Sequence, residues 1–255
     1  MTKCVIDGIV YTTENGTDYL VTSYEWGIEN AKIQLQPNGG FLRGVVEAAF
    51  RGCETLKAVE FVGDPHAFEM VIGDFEIGDA AFAECTALVT VELPDCAQSV
   101  GYGAFRGCKA LKSVEMPTCY VYPYAFCECE ALTTVSAVNN VSAVNNVSEG
   151  VFSHCKSLTT LPITDMVEEI GESAFAHCDS LTDITIPKSV KSIVSLAFRN
   201  CHGLKTVTFE DTKGWYCQSR YKDGEFSLDV TDPAKNAREL AGMDFDDGII
   251  SWYKK

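Results

Sequence analysis

The sequence predicts an α/β repeat solenoid, with one parallel β-sheet face, short helical turns on the other wall, an amino-terminal β-hairpin cap and a carboxy-terminal mixed cap. The first observation is a phrase of small residue, Phe, two variable positions, Cys, two more and Leu. It recurs seven times, from Ala49-Phe50 with Cys53 and Leu56 to Ala197-Phe198 with Cys201 and Leu204. The copies between centre on Phe82, Phe105, Phe126, Phe152 and Phe175, and successive Phe residues lie 32, 23, 21, 26, 23 and 23 apart. A period in this range means stacked units that bury their apolar faces only against neighbours. The second observation is period-two alternation after each Leu, as in Leu111-Lys112-Ser113-Val114-Glu115-Met116, often closed by Pro (Pro94, Pro117, Pro187). Such a segment is a half-buried strand. One strand per unit, always in the same direction, gives a parallel sheet with neighbours about 4.8 Å apart. Third, Val or Ile stands five residues before every Phe: Val45, Ile77, Val100, Val121, Val147, Ile170 and Ile193.

A solenoid exposes apolar core at each end, so both ends need atypical units. Residues 1–27 are expected to form the first cap, because Cys4 to Tyr11 and Tyr19 to Tyr24 alternate around Glu14-Asn15-Gly16, a hairpin signal. The repeats then run over 28–210, opening with an incomplete strand at Ile33 and Leu35 before Pro37. The longest spacing inserts about nine residues around Asp64-Pro65-His66, expected as a protruding loop on one face. A second irregularity repeats Ser136 to Val141 as Ser142 to Val147, so either Val141 or Val147 fills the core position. Residues 211–255 form the second cap, where Asp232-Pro233 starts a helix with Asp as N-cap. Trp215, Trp252 and Tyr253 are expected as lids on the last coil, with ligand stacking as the alternative.

A hydrophobic content of 46% supports a continuous core. The formal net charge is −16; nine acids against seven bases from Asp211 onward leave −14 in the preceding residues. That balance argues against nucleic acid, whose phosphates need clustered Lys and Arg, and against an anionic membrane surface. No apolar run reaches membrane-spanning or signal-peptide length, so no membrane insertion is expected. As it stands the chain is expected to stay in the cytoplasm. A cell-surface or secreted location is the alternative if an export signal precedes it. Of the twelve cysteines, seven share one repeat position and are read as a buried packing row of free thiols rather than a disulfide framework.

Candidate functional residues lie eight and ten positions after each Phe, pointing out from the sheet. Position ten runs Glu60, Glu92, Glu115, Ser136, Pro162, Thr185, Thr208; position eight runs Ala58, Thr90, Ser113, Thr134, Thr160, Asp183, Thr206. Like charges opposite one another on neighbouring strands destabilise a sheet. Three adjacent Glu therefore invite a cation or a basic partner, unless they form a solvated face relieved by Lys57 and Lys112. Thr134, Thr160, Asp183, Thr185, Thr206 and Thr208 make a Thr-rich, more neutral half, which strand propensity alone also explains. The carboxylates have the ~5 Å spacing of a retaining glycosidase, yet nothing raises one pKa or shelters a substrate. No catalytic residue, cofactor or metal site is assigned. His154-Cys155 and His177-Cys178 recur one repeat apart, but the Cys row faces inward and the His outward, against a shared zinc. Cys96 and Cys119, each 14 residues after its Phe, are left as a disulfide, a soft-metal pair or free thiols. No nucleophile triad or phosphate loop is present.

Together Ile170-Gly171-Glu172-Ser173-Ala174-Phe175, Cys178, Leu181 and Ile184-Thr185-Ile186-Pro187 resemble the BspA-type leucine-rich repeat, over about residues 28–210. Val5-Ile6-Asp7-Gly8-Ile9-Val10-Tyr11 resembles that family's amino-terminal hairpin. Gly214-Trp215-Tyr216, Asp232-Pro233-Ala234 and Trp252-Tyr253 resemble its carboxy-terminal cap. The resemblance implies a binding or adhesion surface, often bacterial and cell-surface, with no catalytic motif. The expected function is therefore non-catalytic binding of another protein, a basic one on charge grounds, by a monomeric chain through its exposed strand face. A carbohydrate-binding or adhesin module and a structural part of an assembly are the rivals.

Overall fold

The computed structural model describes residues 1–64, 75–116, 119–137, 146–219, 224–242 and 249–255. The insertion after Asp64 and the position of Val141 lie outside the described residues. The chain opens with strands β1 (Thr2–Ile6), β2 (Ile9–Thr13) and β3 (Asp18–Tyr24). The repeats begin with β4 (Asn30–Gln34), β5 (Phe41–Val45), β6 (Ala58–Val62), β7 (Phe75–Ile77), β8 (Thr90–Glu92) and β9 (Ala97–Val100). They continue through β10 (Ser113–Met116), β11 (Tyr120–Val121), β12 (Thr134–Ala137), β13 (Asn146–Val147) and β14 (Glu169–Ile170). The last repeat strands are β15 (Asp183–Ile186), β16 (Ser192–Ile193) and β17 (Thr206–Phe209). The end of the chain holds β18 (Trp215–Ser219), β19 (Glu225–Ser227), helix α1 (Pro233–Ala241) and β20 (Ile249–Lys254).

The fold class is the expected one, a repeat fold built on parallel sheets with few helices. The expected strand wall is present as a parallel sheet in the order β12-β10-β8-β6-β4, plus the parallel pair β15-β17. Its alternation follows the sequence, with Val59, Val91, Val114, Ile184 and Val207 buried and the residues flanking them turned outward. The first repeat strand is more complete than Ile33 and Leu35 suggest: β4 pairs with β6 over five residues.

The other wall differs in detail from the expected helical turns. The Val/Ile position before each Phe belongs to a second set of short strands, in the orders β3-β5-β7-β9-β11 and β13-β14-β16. Val147, paired with Ile170, fills its core position. Between these strands and the Phe the chain makes tight turns, not helix. In all seven coils the residues two before and two after Phe have positive φ: Ala48 and Gly52, Ala80 and Glu84, Gly103 and Gly107, Tyr124 and Glu128, Gly150 and His154, Ser173 and His177, Leu196 and Asn200. This alternation turns every second N–H towards the next coil. Ala48, Phe50 and Gly52 donate to the carbonyls of Asp79, Ala81 and Ala83 at 2.9, 2.7 and 2.8 Å. A helix would spend those donors within its own segment. Left-handed backbone costs a non-glycine residue about 1–2 kcal/mol, offset here by buried backbone hydrogen bonds that would otherwise be lost.

Inside the walls the seven Phe rings form one column, near-parallel and 4.9–5.9 Å apart, with Tyr24 of β3 stacked on Phe50 at 5.3 Å. Beside it runs the thiol row. Cys85, Cys108, Cys129, Cys155, Cys178 and Cys201 each donate Sγ–H to the Phe carbonyl of the preceding coil at 3.0–3.2 Å. The same carbonyls accept the N–H of their own coil's Cys, for example Cys85 N to Phe82 at 3.3 Å. Both lone pairs of a buried oxygen are thereby used. All twelve cysteines are free thiols, Cys96 and Cys119 among them. Burial pushes Cys85 and Cys201 up to about 12 and Cys108, Cys129, Cys155 and Cys178 well above the ordinary thiol value, so the row stays un-ionised.

At the amino end, Asp7-Gly8 breaks the apparent Cys4–Tyr11 strand into β1 and β2, with φ of 51° and 79° at the turn. At the carboxy end, Asp232 Oδ1 accepts from Ala234 N and Lys235 N at 3.0 Å, with Pro233 at the first helical position. Helix α1 packs on β17, and the buried Asn236 amide donates to Val207 and Val230 carbonyls at 2.9 Å. Trp215 and Trp252 are buried against Phe209, which leaves them no room to stack a ligand.

Cys108→Ala removes a buried thiol and one donor and should lower stability by about 1 kcal/mol, whereas Cys108→Asp, an unpaired charge in the core, should prevent folding. Gly107 has a left-handed φ of 73°, and a Cβ there would meet nothing nearer than 3.7 Å, so Gly107→Ala should cost about 1 kcal/mol through torsion alone. Ala48→Gly, at an exposed position with φ of 54°, should be neutral or stabilising. Urea unfolding of Cys108→Ala, Gly107→Ala and Ala48→Gly checks these signs, and circular dichroism of Cys108→Asp checks the loss of folding.

Candidate binding faces

The β4–β12 sheet places Lys32, Glu60, Glu92, Glu115 and Ser136 in one lateral row, and Asn30, Ala58, Thr90, Ser113 and Thr134 in the other. Glu60, Glu92 and Glu115 are exposed and directly adjacent, on strands about 4.8 Å apart. Among the described residues none of the three joins an ion pair. The expected relief by Lys57 is not found: its Nζ lies 2.8 Å from Glu29, off the row. Lys32 stands at the row's end instead, in register with Glu60.

The Thr-rich half is divided. Thr134 lies on β12, while Asp183 and Thr185 on β15 pair with Thr206 and Thr208 on β17. Thr206 Oγ1 donates to Asp183 Oδ1 at 2.6 Å. Thr160 belongs to no strand, a correction to the expected continuous face. Pro162 explains it, since it has no N–H to donate and restricts Leu161 before it. Thr134 therefore shares a sheet with the acidic row, while Asp183, Thr185, Thr206 and Thr208 sit on a separate one.

His154 and His177 point away from the thiol row, as expected, because they occupy the left-handed turn position just before each inward Cys. Their rings stack at 4.1 Å, and Asn200 Nδ2 lies 3.4 Å from His177 Nε2.

A second cluster escaped the sequence reading. Tyr102, Tyr120 and Tyr122 are 50%, 54% and 52% exposed on the second wall, and the Tyr102 and Tyr124 rings lie 5.4 Å apart, tilted by 58°. Tyr124 donates its hydroxyl to Glu149. The signal was present in Tyr120-Val121-Tyr122, where tyrosines flank the core Val as the outward residues flank Val114 on β10. Next to them a groove of about 530 Å³ runs from Glu47 and Glu76 to Tyr102 and Tyr122.

Comparison with known proteins adds the following. The model of the BspA type leucine rich repeat region matches residues 74–178 and 120–216, in six copies. A leucine rich cell surface protein from Faecalibacterium prausnitzii A2-165 superposes with a TM-score of 0.68 at 23% identity, over 91% of this chain and 62% of that one. This chain thus spans less than two thirds of that relative's length. A leucine rich repeat protein of T. pallidum gives a TM-score of 0.49 at 23% identity, over 82% of this chain and 84% of that one. No curated protein matches the chain. No helix among the described residues is long and apolar enough to cross a membrane.

His177 carries a pH prediction. Burial first, then the stacked His154, hold its imidazole below the ordinary value of about 6.5; Arg199 and His202 act in the same direction and Asp179 opposes them. A depressed folded-state pKa means that the unfolded chain takes up the proton first. The stability due to neutral His177 is thus fully present above about pH 6.5 and is lost as pH falls through the folded value. His177→Gln should flatten the decline of the thermal midpoint between about pH 7 and pH 5, measured against wild type.

Proposed function

The chain belongs to the BspA-type leucine-rich repeat family, and from that premise we propose that it is a non-catalytic module that binds another protein through its exposed parallel-strand face. In this reading residues 1–27 and 211–255 serve as caps and 28–210 carry the surface. The observation that supports it is the in-register row Glu60–Glu92–Glu115. Side-by-side carboxylates disfavour the sheet that holds them, so the row is better suited to a cationic partner than to folding alone. A basic protein surface would neutralise it, with gains mainly in association rate. Thr134 on the same sheet, and Asp183, Thr185, Thr206 and Thr208 on β15 and β17, form the more neutral contact area. Thr160, on no strand, contributes least.

A cell-surface adhesin or carbohydrate-binding role is the second reading, supported by the description of the F. prausnitzii relative as a cell surface protein.

The triple change Glu60→Gln, Glu92→Gln and Glu115→Gln should raise the thermal midpoint slightly, by relief of a few tenths of a kcal/mol per pair. It should also reduce retention of basic proteins from native lysate on the immobilised chain, more at low salt than at high salt. Unchanged retention at both salts would return the row to a solvated face, and a positive glycan array with the same triple variant would favour the second reading.

A further inference from the structure

The second wall carries a site independent of the Glu60–Glu92–Glu115 row. Register across its strands places Val45, Ile77, Val100 and Val121 side by side. The residues flanking them form a strip four coils wide, about 14 Å at the spacing of neighbouring strands. Its first two coils supply carboxylates, Glu47 and Glu76, both exposed. Its last two supply the half-exposed rings of Tyr102 and Tyr122.

Between them the floor is bare backbone. A Cβ on Gly78 would lie 2.6 Å from Glu47 N, and one on Gly101 2.7 Å from Asp79 N, so no side chain can fill the groove there. Asp79 is already engaged, with Oδ1 accepting from Tyr102 N at 2.7 Å. Among the described residues no Lys or Arg lines this groove. Arg43, which lines the adjoining stretch with Glu47 and Glu76, is turned to Asp18 at 2.7 Å.

Carboxylates at one end and aromatic faces at the other are the two features that recognise a guanidinium, by charge and by cation–π contact. We propose that this groove binds an extended, arginine-bearing segment of a partner protein, with guanidinium groups engaging Glu47 and Glu76 at one end and the rings of Tyr102 and Tyr122 at the other. About four residues of extended chain span it.

The test uses the full chain and a fluorescein-labelled Gly-Arg-Gly-Arg-Gly peptide, with lysine and citrulline versions as controls, followed by anisotropy at about 0.15 M salt. Arginine should bind more tightly than lysine, and citrulline, which keeps the shape and loses the charge, should not bind. Tyr102→Leu with Tyr122→Leu alters no charge and should weaken the arginine peptide about fivefold, while Phe at both positions should retain it. Glu47→Gln with Glu76→Gln should weaken it further, and by more than the triple Gln variant of the Glu60 row does. Equal binding by wild type and the Leu variant would overturn the proposal, as unspecific attraction to an acidic chain. So would equal affinity for the arginine and lysine peptides, a comparison that needs no variant, or competition by a chito-oligosaccharide but not by the unlabelled peptide.

Discussion

The Phe carbonyl is the acceptor on which the stack of coils depends. It lies in the core, where an unmet lone pair costs about as much as a lost hydrogen bond. Its own coil supplies one donor, the Cys N–H, and the next coil supplies the other, the Cys thiol. The Cys side chain is small, carries a weak donor and fits beside the stacked Phe rings at this pitch. Alanine would fill the space without the donor, and a larger polar group would bring a desolvation penalty. The repetition of Cys at one position therefore follows from hydrogen bonding, with no need for redox chemistry, and the raised thiol pKa values express the same burial.

With the interior committed to this spine, the outward residues of the strands are relieved of folding duty. Along the first wall they run from Lys32 through three Glu to Ser136. Along the second they pass from Glu76 through Ser99 to Tyr120. Each is a lateral row, one residue per coil, in which chemistry changes stepwise while the core beneath stays the same. Both candidate faces arise from this division of labour.

The sequence makes the spine and the first wall legible because their signals are side-chain periodicities: Phe, Cys and Leu at fixed offsets, Val between outward residues. Asp232-Pro233 is legible for the same reason, since capping is a property of two adjacent side chains. The left-handed turns were not. Their positive-φ positions hold Ala48, Glu84, Tyr124, His177 and Leu196 as readily as glycine, so tertiary hydrogen bonding imposes a conformation that local composition does not announce. Thr160 misled for the opposite reason. Its offset from Phe152 is right, but Pro162 removes the backbone donor that a strand there requires. The tyrosine groove was obscured because it depends on glycine backbone, Gly78 and Gly101, whose role appears only when coils are stacked.

Neither wall is continuous among the described residues: no ladder joins β11 to β13 or β12 to β15. Across that junction the coils are held by the spine, with Phe126 and Phe152 at the widest ring spacing of 5.9 Å, Cys155 bonded to the Phe126 carbonyl, and Tyr124, Phe126 and Glu128 donating to Glu149, Val151 and Ser153. A repeat protein behaves as a one-dimensional array whose cooperativity is set by the coupling of nearest neighbours. Among the described residues no strand ladder crosses this mid-array link, so a load or denaturant is expected to be felt there first.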